Sequence, residues 1–410
     1  MRVDRKSWRE ALPFGFCFGP EKYHPNKTCA ILTRLLSRLT ERMPLMIKNR
    51  PITALVLPLL CLPQLALAQQ GDLQTPPVDI TLKQDYQLPQ ADAQSRAILA
   101  AAQGFLASLT ADQRAAAVFP FADNTQRSNW SNFPDGAVKR QGVKRGDLSA
   151  EQIAALDALL AQVLSAEGVR NIRYQLAGDD ALGATDQGGG GGPMPVNFGS
   201  GFYYVSFLGE PSETAPWMLQ FGGHHLAINA TVFGPDLSFS PMLTGGEPLH
   251  ITIDGVEIYT TEAETLAAQA LLDSLNDDQK KQAIRSDKAI NLLLGPGEYG
   301  TVLAPEGIKG SDLEEPQQEL LLDLIHTRLG FANDDDSAAM MAEVEAGLDQ
   351  TWFGWWGPQG QPGAAYFRVT GPSLALEYAP QDGDGDPTDH AHNMYRNPLN
   401  DYGTAWIAAD

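Results

Sequence analysis

The sequence predicts an α+β protein: two similar units, each a helical pair packed on antiparallel strands, joined in one compact body. Three observations predict it. Two helix–turn–helix segments match at a nearly constant spacing. Each is followed by two β-like runs joined by a Gly/Pro-rich turn, and the last strand of each set alternates in the same way. The 410-residue chain divides accordingly. Residues 1–68 form a leader, 69–90 an extended N-terminal segment, 91–260 the first unit, and 261–410 the second unit with a histidine-bearing C-terminal loop.

The leader is expected to be discarded. From Met46 the chain reads MIKNRPITALVLPLLCLPQLALAQQG. Lys48 and Arg50 form a positive n-region, residues 52–62 an apolar run, and Ala66-Leu67-Ala68 a small-x-small cleavage site. The apolar run is too short, and too interrupted by proline, to span a bilayer. Leu60 precedes Cys61 where a lipoprotein signal needs a small residue, so no lipid anchor is expected. Residues 1–45 read as a start site assigned too early, with a long leader as the alternative. Export to a periplasm or to the medium follows.

Cys17, Cys29 and Cys61 all fall in that leader. The mature chain therefore has no disulfide, thiolate nucleophile or cysteine-ligated zinc. The leader also holds eleven Lys/Arg and four Asp/Glu, which leaves 18 basic against 46 acidic groups, a net charge of −28. So acidic a surface repels phosphate backbones and anionic lipid and attracts cations. Nucleic acid is excluded as a partner, as is membrane insertion after signal cleavage. A small-molecule substrate or ligand is expected, and the oligomeric state is left open.

The repeat is read from particular residues. FLASLTADQR (residues 105–114) matches LLDSLNDDQK (271–280), and DLSAEQ (147–152) matches DLEEPQ (312–317). Thr110/Gln113, Asn276/Gln279 and Ser149/Gln152 each have capping-box spacing, in which the N-cap oxygen and the Gln side chain satisfy each other's backbone N–H groups. The runs around GEPSETAP and GPQGQPGA are expected to be hairpins. The glycine run DQGGGGGPMP (186–195) is expected to be a surface loop, since no lysine or helix start follows it.

Chemistry gathers on the histidines. QFGGHHLAINATVFG (220–234) places His224 and His225 in what reads as a strand, and LAIN aligns with LALE (374–377). Strand alternation puts His225, Asn229 and Glu377 on a small, polar face and His224 on the apolar one. His225 is thus the better ligand, while His224 packs in the core or joins the same site. HAH puts His390 and His392 on one side of an extended segment. Two imidazoles at i, i+2, a third from a distant strand and a carboxylate such as Glu377 suit one transition metal. Zinc is favoured, with copper and iron as alternatives. The competing reading is that these histidines only brace a C-terminal loop. His250 and His326 read as structural.

Loops supply the remaining candidates. Arg127, Asn129 and Trp130 in RSNWSNFP, with Tyr395, Arg396 and Asp401 in MYRNPLNDYG, would line a pocket together with Asn229. There Arg396, Asp401 and Arg127 would orient a polar or anionic substrate. Alternatively the arginines and aspartates pair to tie loops down. Asp382, Asp384 and Asp386 imitate the start of a calcium loop, but Pro387 and Asn393 stand where glycine and a bidentate Glu are needed. A solvated turn is the competing reading. WFGWWG (352–357) reads as core rather than a sugar platform. No HExxH or nucleophile elbow is present, and the glycines of GPGEYG (295–300) lack the strand–helix context of a phosphate-binding turn.

The motifs RSNW…P, W…GGHHLAIN, GGEP, YFRVTGPSLALEY and HAHNMYRNPLNDYG together resemble the bacterial family called domain of unknown function 3500, from about Phe105 to the C-terminus. The resemblance implies export and assigns no reaction. Its motifs coincide with His224, His225, Glu377, His390, His392, Arg396 and Asp401, and the chain departs from it in the acidic loop and the glycine run. The expectation is an exported metal-dependent enzyme, hydrolytic rather than oxidative. The alternatives are a non-catalytic periplasmic protein that binds metal or a small ligand, and a structural envelope protein.

Overall fold

A computed structural model describes residues 75, 77–185, 196–381 and 386–410. The leader, the glycine run, Asp382 and Asp384 lie outside the described residues.

Helix starts follow the local grammar. The helices α1 (Ala93–Ser108), α2 (Ala111–Ala117), α3 (Asn124–Arg127), α4 (Ala150–Val163) and α5 (Ala166–Thr185) precede the main strands of the first half. The helices α6 (Glu262–Ser274), α7 (Asp277–Ala283), α8 (Glu315–Leu329) and α9 (Asp334–Ala346) do so in the second, and α10 (Thr404–Ile407) closes the chain. Capping boxes form at Thr110/Gln113, Ser149/Gln152 and Asn276/Gln279, and also at Asp92/Ser95 and Glu314/Gln317. The cap glutamines then meet. The amides of Gln113 and Gln152 bond to each other, and so do those of Gln279 and Gln317. Each pair also reaches matching carbonyls, those of Ser108 and Asp147 in one half and Ser274 and Asp312 in the other.

The strands are β1 (Val118–Phe119), β2 (Val143–Lys144), β3 (Tyr204–Leu208), β4 (Trp217–Gly223), β5 (Leu226–Phe233), β6 (Asp236–Ser238), β7 (Met242–Gly246), β8 (His250–Ile253), β9 (Val256–Tyr259), β10 (Ile284–Ser286), β11 (Ile308–Lys309), β12 (Trp352–Trp356), β13 (Tyr366–Thr370), β14 (Ala375–Pro380) and β15 (Ala391–Arg396). β8 and β9 form a separate hairpin. Thirteen strands make one sheet, whose path runs β1-β3-β4-β5-β7-β15-β14-β13-β12-β10. β2, β6 and β11 flank it. The order reads alike from both ends. A short parallel strand (β1 or β10) lies outside a hairpin pair, and β7 meets β15 antiparallel at the centre. Those parallel edges make the sheet mixed, where sequence alternation had suggested antiparallel strands alone.

Alternation gives the sheet two unlike faces. Leu226, Ile228 and Ala230 of β5, with Leu376 and Tyr378 of β14, join the helices in the main core. Ala227, Leu243, Ala375 and Met394 face the other way, against Trp130 and Leu294 from covering loops. The extended segment before α1 is strapped to the chain end: Lys83 N–H donates to the Ile407 carbonyl, and Ala409 N–H to that of Thr81.

Two measurements test this framework. Gln279→Ala removes a cap and orphans Gln317, so the unfolding free energy falls by about 1–3 kcal/mol in denaturant titration. Asp336, whose Oδ2 accepts the Asn333 amide (2.6 Å) at the start of α9, has its pKa raised to about 6 by burial, with Asp92 and Asp236 adding repulsion. A carboxyl raised in the folded state costs nothing below its unfolded pKa, near 4, and becomes destabilising as pH rises through about 6. Asp336→Asn is therefore expected to stabilise the fold by about 1–2 kcal/mol at pH 7.5 and to have no such effect below pH ~4.

Candidate metal centre

Three imidazoles from two distant parts of the chain converge at the end of the β4–β5 hairpin. His225 Nε2 lies 3.0 Å from His390 Nε2 and 3.0 Å from His392 Nε2. His225 and His392 are buried, at 4% and 6% exposure, while the His390 side chain keeps 16% of its surface open.

Local sequence explains the placement. Gly223 pairs with Leu226, so His224 and His225 are the two residues of a tight turn, not strand residues as their apolar neighbours suggested. His225 adopts a left-handed backbone, φ 56°, a conformation uncommon outside glycine that concentrates at functional sites. A Cβ at Gly223 would stand 2.7 Å from the Tyr203 ring. Only glycine lets that ring lie under the turn, where its hydroxyl donates to the His224 carbonyl (2.6 Å). On β15, His392 sits opposite Gly245 of β7, where a Cβ would strike the Ala391 carbonyl oxygen, so glycine lets the two strands close.

Two groups that the sequence reading passed over hold the cluster. Arg140 donates from one guanidinium nitrogen to the carbonyls of Ser131, Phe133 and Gly223. It thereby binds the loop carrying Asn132 to the histidine turn, and Asn132 Nδ2 lies 3.3 Å from His392 Nε2. Glu247 is the nearby carboxylate, with Oε2 3.7 Å from His390 Nδ1. It also forms a second potential ligand group with His224 and His225. The only advance sign of Glu247 was the GGEP motif, and Arg140 gave none.

Burial, reinforced by the neighbouring imidazoles, holds His225 and His392 well below the ordinary histidine range. Neutral imidazoles keep lone pairs for a ligand. His224 is pushed down by burial too, against the pull of Asp179. Its Nδ1 lies 2.7 Å from Asp179 Oδ1, and its ring packs 3.9 Å from that of His225. Asp179 Oδ2 accepts the Gly199 N–H, which fixes the carboxylate.

With this geometry established, the family can be named. A family model described as Protein of unknown function (DUF3500) matches residues 91–404. The chain belongs to that family. No curated protein and no solved structure matches it.

Several expected site residues of this DUF3500 chain lie elsewhere. Glu377 does not join the histidines. It accepts from the backbone N–H groups of Leu293 (3.0 Å) and Leu294 (2.7 Å) and from the Tyr366 hydroxyl (2.6 Å). It shares the histidines' face, as alternation indicated, but on a strand that puts it over a different loop. Arg396 and Asp401 form a buried ion pair, with Arg396 also donating to the carbonyls of Leu294 and Gly295 (both 2.9 Å) and Asp401 accepting from Ser240 Oγ. Arg396 is four residues beyond His392 on the same strand, about 13 Å away. Arg127 is fully buried and donates to Asn124 and the Phe121 carbonyl; burial lowers its pKa to about 10.

The expected substrate-binding residues are likewise committed to the fold. Trp130 donates to the Tyr402 hydroxyl (2.6 Å), and Asn129 to Gln126. Asn229 is locked between Gln220 and the Pro241 carbonyl. Tyr395 faces the helices, on the opposite side of the sheet from His392. Trp130 and Asn229 thereby satisfy buried polar neighbours, as polar groups in a core must. Of the acidic loop, Asp386 accepts from the backbone and hydroxyl of Thr388, a local turn.

Asp401→Asn is expected to destabilise the fold by about 3–5 kcal/mol, because it leaves a buried guanidinium unpaired. Neither it nor Glu377→Gln should change the metal content of the folded protein.

Proposed function

We propose that this is an exported metal-dependent enzyme, hydrolytic in character, whose single transition metal is held by His225, His390 and His392. The convergence of three imidazole nitrogens carries the reading. Ligands about 2.0–2.1 Å from a tetrahedral zinc have nitrogens about 3.3 Å apart, and the two contacts of 3.0 Å need open by only a few tenths of an ångström. A thiol-free set of this kind favours zinc over copper or iron. The bound ion would supply a Lewis acid that makes water acidic near neutral pH.

The chain's own groups suit the rest of that role. Asp179 holds the His224 ring against His225, and Asn132, on the loop that Arg140 ties down, contacts the same His392 Nε2 that faces His225. Glu247, partly exposed, stands where it can take a proton from water or complete the ligand set. The partly open His390 and Glu247 mark the side from which a small polar substrate would approach. A non-catalytic metal-binding protein is the second reading, favoured by the near-complete burial of His225 and His392. It would follow if Glu247 and His224 both ligated and filled the coordination sphere.

We also propose that the chain is a duplication of one unit. The matching Gln–Gln cap pairs and the symmetric sheet order support this. The signal-like leader of residues 46–68 supports export.

Elemental analysis of mature protein purified from its native compartment is expected to find about one zinc per chain. The double variant H390A/H392A should lose it while keeping its far-ultraviolet circular dichroism. Equal metal in both samples would remove the proposal. Glu247→Gln separates the two readings: an enzyme keeps its metal and loses turnover, whereas a filled sphere loses metal affinity by about 10- to 100-fold.

A further inference from the structure

A cleft of about 850 Å3 opens on the helical side of the molecule, between α5, the β8–β9 hairpin, the first turn of α6 and the end of α8. It is separate from the histidine centre. His392 projects from one face of β15, whereas the adjacent Asn393 projects from the other and donates to Glu264 Oε1 (2.7 Å) beneath this cleft.

The floor is chemically unusual. Glu264 and Thr260 both line the cleft, at 4% and 8% exposure. Burial raises the Glu264 carboxyl, against the nearby positive charge of Arg328. Yet Arg328 spends its hydrogen bonds on Thr244 and the Asn393 carbonyl, and no ion pair closes on Glu264 among the described residues. The Thr260 hydroxyl is buried with no hydrogen-bond partner, a state that costs about 1–3 kcal/mol unless something bonds to it.

The walls add charge and aromatic surface. Glu167, Glu257 and Glu262 stand around the opening, and Arg170, the fixed cation of the lining, is paired with Glu167 (2.6 Å). Even with Arg328 counted, the carboxylates are in excess. Tyr259 is stacked on His250, with ring centroids 4.5 Å apart, and Tyr174 completes an aromatic side. A buried carboxylate, an unsatisfied hydroxyl and aromatic faces in an acidic lining are the elements that recognise an organic ammonium ion. A primary ammonium has donors for both oxygens at once, which a quaternary ammonium lacks. A carboxylate or phosphate ligand would meet repulsion.

We propose that this cleft binds a small primary amine, its ammonium group seated on Glu264 and Thr260 and its apolar body against Tyr174 and Tyr259. The proposal does not depend on the metal centre.

Calorimetric titration of the mature protein with benzylamine, benzyl alcohol, benzoate, tetramethylammonium and calcium tests it. Benzylamine should bind at about millimolar Kd or tighter, with benzyl alcohol and tetramethylammonium at least about tenfold weaker and benzoate weaker still. Glu264→Gln should weaken benzylamine by about tenfold or more, and Thr260→Val, nearly isosteric, by about three- to tenfold. Should Glu264→Gln not fold, Thr260→Val alone decides the point. The variant H390A/H392A should bind benzylamine as the unaltered protein does, so loss of the metal reading leaves this one standing. Equal binding of benzylamine and benzyl alcohol, preference for benzoate or calcium, no heat with benzylamine, or indifference to Thr260→Val would each overturn it.

Discussion

The antiparallel pairing of β7 with β15 is the constraint on which the molecule depends. It joins the two halves of the sheet, and it places Gly245 across from His392. That one register does two things. The absent Gly245 side chain lets the strands close, and the register sets His392 on the face away from the main core. The hairpin turn at the neighbouring β4–β5 end then brings His225 to the same point. A slip of one residue would carry His392 to the helical face and dissolve the cluster.

The two faces of the sheet divide the work. The helical face is mainly an apolar core, with Phe105, Leu159, Ile228 and Tyr378 packed together and Glu264 and Arg328 buried beneath the cleft. The other face holds the costly groups: Arg127, Gln220, Asn229, Glu377, Arg396 and the histidines, each desolvated and each given partners. Ion pairs such as Arg396–Asp401 contribute little net stability when buried, yet losing one partner is expensive. Their effect is to lock irregular loops into one position, while Arg140 ties the loop that carries Asn132 to the histidine turn. Two glycines, one arginine and one aspartate therefore matter to the centre as much as the candidate ligands do.

Legibility in the sequence followed the range of the interaction. Capping boxes at Thr110, Ser149 and Asn276 were readable because four consecutive residues contain the whole interaction. The i, i+2 histidines at 390 and 392 were readable because strand geometry places alternate side chains on one side. Glu377 shows where such reasoning fails. Its face was deduced from alternation, but a sheet face is many strands wide, and position along it depends on pairings that the local pattern does not encode. Arg127, Arg396 and Asp401 were chosen because they are polar and lie in irregular loops. The same composition serves equally to brace a loop from within. Glu247 and Arg140 sit in stretches whose residues look ordinary until the strands are paired.

The sequence by itself determined the secondary structure grammar, the two-faced strands and the acidity, because each depends on composition or on neighbours a few residues apart. It also singled out the three histidines, since imidazole is scarce in this chain and suited to metals. Only the tertiary structure decided that those rings meet, that the acid beside them is Glu247, and that a lined cleft lies on the far side of the sheet. Convergence of groups more than a hundred residues apart is set by strand order and register. Those are properties of the assembled sheet, whose packing energy no single segment contains.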